Sequence, residues 1–169
     1  SEATITATGN SNVAFLDDVV NNGTLRISEG STAVYFGSVS GNSFTGSGTT
    51  FVEGDLSPGS SPGSMSFGGD VVLGASSTTQ IELAGTAAGE YDQLDIAGSI
   101  SLASTLDTLL IGGFSPDLGD TFTIISADGG VTVTFDTTNI PVLSGGLSLD
   151  LVYHPTFVAL EVISNLLLG

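Results

Sequence analysis

The stretch that decides the fold is residues 55–111, which begins Asp55-Leu56-Ser57-Pro58-Gly59-Ser60-Ser61-Pro62-Gly63. Three short alternating segments follow: Val71-Val72-Leu73, Gln80-Ile81-Glu82-Leu83 and Gln93-Leu94-Asp95-Ile96. A longer one occupies residues 100–111. Gly, Ala, Ser and Thr separate them. Each short run falls below ordinary helix length and ends at a residue that favours a turn. Short strands joined by small polar residues, with little charge, predict a β-solenoid. In such a fold each apolar triplet supplies one inward layer, and the coils above and below bury it. At roughly 20 residues per coil, about five coils fit before Ile111.

Working outward, the best internal match aligns Gly69-Asp70-Val71-Val72-Leu73-Gly74-Ala75-Ser76 with Gly98-Ser99-Ile100-Ser101-Leu102-Ala103-Ser104-Thr105. No strict period accompanies it, so coils of unequal length are expected. The two Pro-Gly pairs, Pro58-Gly59 and Pro62-Gly63, suit tight type II turns, because Pro pre-sets φ and Gly accepts a positive φ. Strands lie close on both sides, which makes this segment a corner of the solenoid and not a hinge. Upstream, Ala3-Thr4-Ile5-Thr6-Ala7-Thr8, Val13-Ala14-Phe15-Leu16, Thr24-Leu25-Arg26-Ile27-Ser28 and Ala33-Val34-Tyr35-Phe36 continue the short-strand style.

Downstream of Gly113 the alternations are longer. Thr121-Phe122-Thr123-Ile124-Ile125 is an emphatic strand. Residues 147–153 and 156–163 read as an antiparallel pair joined through His154-Pro155. The expected organisation is a solenoid over residues 1–112. A C-terminal antiparallel β cap over residues 113–169, continuous with it, covers an otherwise open edge.

Composition narrows the partners. Eighteen acidic side chains face one basic residue, Arg26, for a net charge of −17. Such a surface repels phosphate backbones and anionic membranes, so neither nucleic acid nor membrane insertion is expected. Cysteine is absent, which excludes disulfides and thiol chemistry. Gly, Ser, Thr and Asn in abundance, without Lys, suit an exported protein, and Ser1 suits the residue left after signal-peptide removal.

Leu56-Ser57-Pro58-Gly59-Ser60-Ser61-Pro62-Gly63, Gln80-Ile81-Glu82-Leu83-Ala84-Gly85, Tyr91-Asp92-Gln93-Leu94, Gly113-Phe114-Ser115-Pro116 and Gly119-Asp120-Thr121-Phe122-Thr123-Ile124-Ile125 together resemble the autotransporter passenger-type β-helix repeat module of exported bacterial surface proteins. The match spans roughly residues 49–125, and residues 149–162 look like its closing strands. The resemblance implies a right-handed parallel β-helix with a β-rich cap, at the bacterial cell surface or outside the cell. The chain departs from the pattern in being short and in having no barrel after it. The shared motifs are turns and corners, so the resemblance transfers no catalytic residue.

His154 would need a nucleophile such as Ser144 or Ser164 to form a hydrolase triad, and no nucleophile-elbow sequence supports one. Glu82, Glu90, Asp92 and Asp95 would need to face each other across a sugar, and the chain has no Trp for a sugar platform. No enzyme activity is expected. Calcium fits better: Asp92 with Asp95, and Asp117 with Asp120, each place two carboxylates three apart, and Asp17-Asp18 are adjacent. Turn-forming Asp is the competing reading. Thr4-Ile5-Thr6 and Thr132-Val133-Thr134 are too isolated to form an ice-binding row.

The function expected from these features is a non-enzymatic extracellular structural protein. It would be a subunit that self-assembles into a filament, sheath or surface layer by strand addition or end-to-end stacking. Ala3, Ile5, Ala7, Leu160, Val162, Leu166, Leu167 and Leu168 are the candidate polymer contacts. The alternative is an adhesin or glycan-binding module for an extracellular polysaccharide, with Tyr35, Phe36 and Phe51 as its aromatic candidates.

Overall fold

A computed structural model of the chain describes residues 4–165. The chain winds through three strands per turn. The first coil is β1 (Thr4–Ala7), β2 (Asn12–Phe15) and β3 (Val19–Asn21). The second is β4 (Thr24–Ile27), β5 (Thr32–Tyr35) and β6 (Val39–Gly41), and the third is β7 (Ser43–Thr45), β8 (Thr49–Val52) and β9 (Leu56–Pro58). The fourth coil is β10 (Ser64–Phe67), β11 (Val71–Leu73) and β12 (Thr78–Leu83), and the fifth is β13 (Gln93–Ile96), β14 (Ser99–Ser101) and β15 (Thr105–Leu110). A sixth follows as β16 (Thr121–Ala127), β17 (Gly130–Val133) and β18 (Thr137–Asn139). The hairpin β19 (Leu147–Tyr153) and β20 (Phe157–Ser164) completes the described chain. Among the described residues no helix is long and apolar enough to cross a membrane.

Corresponding strands of successive coils pair in parallel into three sheets, a β-helix. The first sheet runs β1-β4-β7-β10-β13-β16-β20-β19, the second β2 to β17 and the third β3 to β18. Five coils are complete at Leu110, as the apolar spacing predicts. The internal match is realised as register: Val71 of β11 lies opposite Ile100 of β14. Coil length is unequal, as expected, growing from Thr4 opposite Thr24 to Leu94 opposite Ile125. The extra residues enter almost wholly at the corner between the third and first sheets, at 59–63, 84–92 and 111–120. The Pro-Gly segment forms such a corner. Of its two glycines only Gly59 has a positive φ, +28°, so the pair of type II turns is not formed.

One boundary differs from the sequence reading. β16, β17 and β18 lie beyond residue 112 yet pair in parallel with β13, β14 and β15. Among the described residues antiparallel strand pairs are β16 with β20 and β19 with β20, beside one isolated antiparallel bridge between Leu83 and Tyr91. Period-two alternation is the same in both kinds of strand, so it carries no information on pairing direction.

Alternation drives the packing. In the first sheet the row Leu25, Phe44, Phe67, Ile96, Ala127 points inward and is almost wholly buried. Phe15 stacks on Tyr35 at 4.7 Å, Tyr35 meets Phe44 edge-on at 5.9 Å, and Phe44 stacks on Phe67 at 4.8 Å. This aromatic column ties four coils together, and each contact is worth about 0.5–1.5 kcal/mol beyond its buried area. Among the described residues the hydroxyls of Tyr35, Thr79 and Thr108 lie in the interior without a hydrogen-bond partner. Coils approach closely where side chains are missing: a Cβ on Gly69 would overlap the carbonyl oxygen of Gly48 one coil below.

The two ends differ. At the C-terminal end the hairpin lies over the sixth coil, burying Leu149, Leu160 and Val162, and the Phe135 N–H donates to the Tyr153 hydroxyl at 3.1 Å. At the other end β1, β2 and β3 are the outermost strands of their sheets. Among the described residues no coil lies beneath their inward side chains: Ile5 is 47% exposed, and Val13, Phe15 and Val19 are only partly buried.

Candidate functional site

The corner between the third and first sheets carries the longest loops and the most unusual side chain, Asp92. It lies just before β13 and shares inward parity with Leu94 and Ile96, so its carboxylate is buried. The Gly63 N–H donates to Oδ1 at 2.6 Å, and the Glu82 N–H donates to Oδ2 at 2.9 Å. Asp92 returns its own N–H to the Glu82 carbonyl at 2.9 Å. One side chain thus holds the 59–63 corner, β12 and the 84–92 loop together. Burial pushes its carboxyl up to about 6; the two N–H bonds pull the other way, and the nearby Glu82 charge adds a smaller upward push. The Glu82 carboxylate itself accepts from the Ser61 hydroxyl.

The calcium candidates do not converge. Asp95 stands on the opposite face of its strand from Asp92, exposed, and accepts the Ser126 hydroxyl at 2.7 Å. A spacing of three brings carboxylates together in a turn, but in extended chain it separates them. Asp120 Oδ2 accepts the Asp117 N–H at 2.8 Å, and the Asp120 N–H donates to the Asp117 carbonyl at 3.1 Å, so this pair closes a turn on itself. Among the described residues no group of three or more His, Cys, Asp or Glu side chains comes together.

The Asp117–Asp120 turn follows the turn-forming reading of Asp, whereas the bonding of acids from one coil to the next was missed by the sequence reading. Asp18 Oδ1 accepts the Ser38 N–H at 2.8 Å, and Asp70 Oδ1 accepts both the Ser99 N–H at 2.8 Å and its hydroxyl at 2.9 Å. In each case a corner carboxylate satisfies a backbone donor of the next coil, which the sheet ladders leave unpaired. The available signal was an Asp at each turn one coil before a Ser.

The remaining candidates fall as follows. His154 stacks on Phe157 at 3.9 Å and sits in the turn of the β19–β20 hairpin, where its N–H donates to the Phe157 carbonyl at 2.9 Å. Tyr35 is fully buried, so it offers no platform. Phe36 is 53% exposed, and Phe51 lies partly exposed on the outer face of the second sheet beside Val34. Ile5 belongs to the uncovered end and Ala7 is buried beside it. Leu160 and Val162 point into the core from β20, a strand flanked on both sides by β16 and β19, so they cannot supply a free edge. Ala3, Leu166, Leu167 and Leu168 lie outside the described residues. A shallow groove crosses the outer face of the first sheet, lined by Ser43, Ser66, Asp95 and Ser126, with Gly46 and Gly68 beside them.

No protein-family model matches the chain, and no curated protein matches it.

Proposed function

We propose that this chain is a non-enzymatic structural module of the bacterial exterior, a β-solenoid that associates with its own kind through its N-terminal coil. The observation that carries the reading is the N-terminal coil, whose three strands are the outermost of their sheets around a partly exposed apolar floor of Ile5, Val13, Phe15 and Val19. Unpaired edges next to apolar side chains are the common route to strand addition. The acids support a structural role as well, since Asp18, Asp70 and Asp92 hold backbone in place at the corners. The exported location rests on composition and on the resemblance to autotransporter passenger modules.

Sedimentation velocity across about 1 µM to 1 mM, the range that spans weak to moderate association, tests the reading. Mass above 16.9 kDa should appear with rising concentration and vanish in Ile5→Asp, which charges the floor at a side chain 47% exposed and outside the aromatic column. A chain that stays monomeric over the whole range overturns the proposal.

A second reading has its own observation. Phe36, together with Phe51 on the same outer face, makes a small apolar platform suited to a neutral sugar ring. If the module binds polysaccharide, native electrophoresis through gels containing neutral glucans should retard the chain, and Phe36→Ala should abolish the retardation. Unchanged migration of both rules it out.

A further inference from the structure

We infer that Asn22 is a site of self-modification: the Gly23 nitrogen attacks its side-chain amide, ammonia is lost, and aspartate or isoaspartate remains at the corner between β3 and β4. The inference is independent of the association proposed above.

Sequence and exposure single this residue out. Of the chain's asparagines only Asn22 is followed by glycine. Glycine has no Cβ, so its nitrogen reaches the preceding Cγ with the least hindrance. Asn22 is exposed and lies outside the strands, with β3 ending at Asn21 and β4 beginning at Thr24. Other asparagines are held differently. Asn21 is buried, and its Nδ2 donates to the Ser43 carbonyl at 2.6 Å. Asn42 stands at the same corner one coil on, since Gly41 lies opposite Asn21. Ser43 follows it, however, and its carbonyl accepts the Ser66 N–H at 2.8 Å. Asn12 and Asn139 belong to strands and precede the β-branched Val13 and Ile140.

The attacking nitrogen is loosely held. The Gly23 N–H donates to Asn21 Oδ1 at 3.2 Å, the long limit for such a bond, so little is lost when it breaks. Hydroxide removes that proton and the nitrogen bonds to Asn22 Cγ. The Cγ–Nδ2 bond then breaks, and ammonia leaves with a proton taken from water, which regenerates hydroxide. Water opens the resulting cyclic imide in either of two ways. Cleavage at the side-chain carbonyl restores an ordinary chain with an aspartate at position 22. Cleavage at the main-chain carbonyl gives isoaspartate, whose chain runs through the former side chain and is one carbon longer.

The corner has no slack for that carbon. Two residues join β3 to β4. Val19 and Asn21 are held opposite Val39 and Gly41, and β4 is paired on both sides, with β1 and β7. A Cβ on Gly41 would overlap the Asn21 carbonyl oxygen, so the second coil sits directly against the first here. Isoaspartate should therefore loosen the first coil, whereas ordinary aspartate adds only one negative charge to a net of −17.

Incubating the folded chain in warm, mildly alkaline buffer tests this, with peptic peptides read by mass spectrometry. Position 22 should exchange its amide for an acid, partly as isoaspartate, while the other asparagines keep theirs. Asn22→Gln, which would have to close a larger ring, should keep its mass. By urea denaturation the aged protein should have a lower midpoint than the fresh one, and Asn22→Asp should match the fresh one. If position 22 keeps its amide in the folded chain but loses it in urea, the corner shields the residue and the proposal is overturned. Loss spread evenly over the asparagines overturns it too. Isoaspartate with an unchanged midpoint overturns the loosening of the first coil.

Discussion

Asp92 offers the sharpest test of how this fold is held together, because two opposing effects meet on one side chain. Its two N–H donors, at 2.6 and 2.9 Å, stabilise the ionised carboxylate, while burial opposes it. If burial wins, the carboxyl titrates near 6 in the folded protein against 3.8 for the ordinary side chain. The folded state then holds more protons than the unfolded state between those values. Stability contributed by this group is therefore complete below about pH 3.8 and declines as pH rises to about 6, levelling off above it. Carrying a carboxyl across that interval is worth about 3 kcal/mol. Asp92→Ala removes both the titration and the two acceptors, and each N–H left unpaired costs about 1–3 kcal/mol. The variant should thus be less stable than the parent at pH 4, and the gap should narrow by about 3 kcal/mol by pH 7. For a chain of this size that is roughly 6–12 °C in Tm. Differential scanning calorimetry of both proteins from pH 3.5 to 8 reads it directly. Taking the difference between the two cancels the general repulsion of a highly acidic chain. A gap that widens as pH rises would mean the N–H bonds outweigh burial, and the reasoning would be refuted.

Two further outcomes follow from the packing. Leu94→Ala, at a fully buried site in the fifth coil, should cost about 2–5 kcal/mol, whereas Leu16→Ala, at a side chain 75% exposed, should lie within about 0.5 kcal/mol of the parent by urea denaturation. Gly69→Ala forces a methyl group against the Gly48 carbonyl of the coil below and should destabilise by about 1–3 kcal/mol. An unchanged urea midpoint would show that the third and fourth coils do not touch there.

Much of the architecture was legible because coil stacking depends on patterns a single strand already carries. The pairing of Val71 with Ile100 follows from Gly-x-apolar-x-apolar segments whose inward residues must coincide. The hairpin at His154-Pro155 follows from two long alternations flanking a proline, with Leu147–Tyr153 and Phe157–Ser164 as the result. Direction of pairing was not legible for residues 121–139, since side-chain alternation is blind to whether the neighbour runs up or down. Two individual side chains were misjudged for a simpler reason. Tyr35 has the same parity as Ala33, and Asp92 the same parity as Leu94, so both point inward. Chemical type suggested a surface role for each, and strand geometry overrode it. The corner acids were illegible in another sense: the backbone donors they satisfy belong to the next coil, about 20 to 29 residues away in sequence.

The uneven coil length has a consequence for what this scaffold can become. Connections at the other two corners are four residues or fewer throughout, while one seam admits 59–63, 84–92 and 111–120 in succession. New segments can therefore be grafted along a single line without disturbing any ladder. Gly89, at the exposed crest of one such excursion with open space around it, is the natural point of insertion. A protein built this way can diversify along one margin while its three faces stay constant, much as a spine carries different ribs on the same vertebrae.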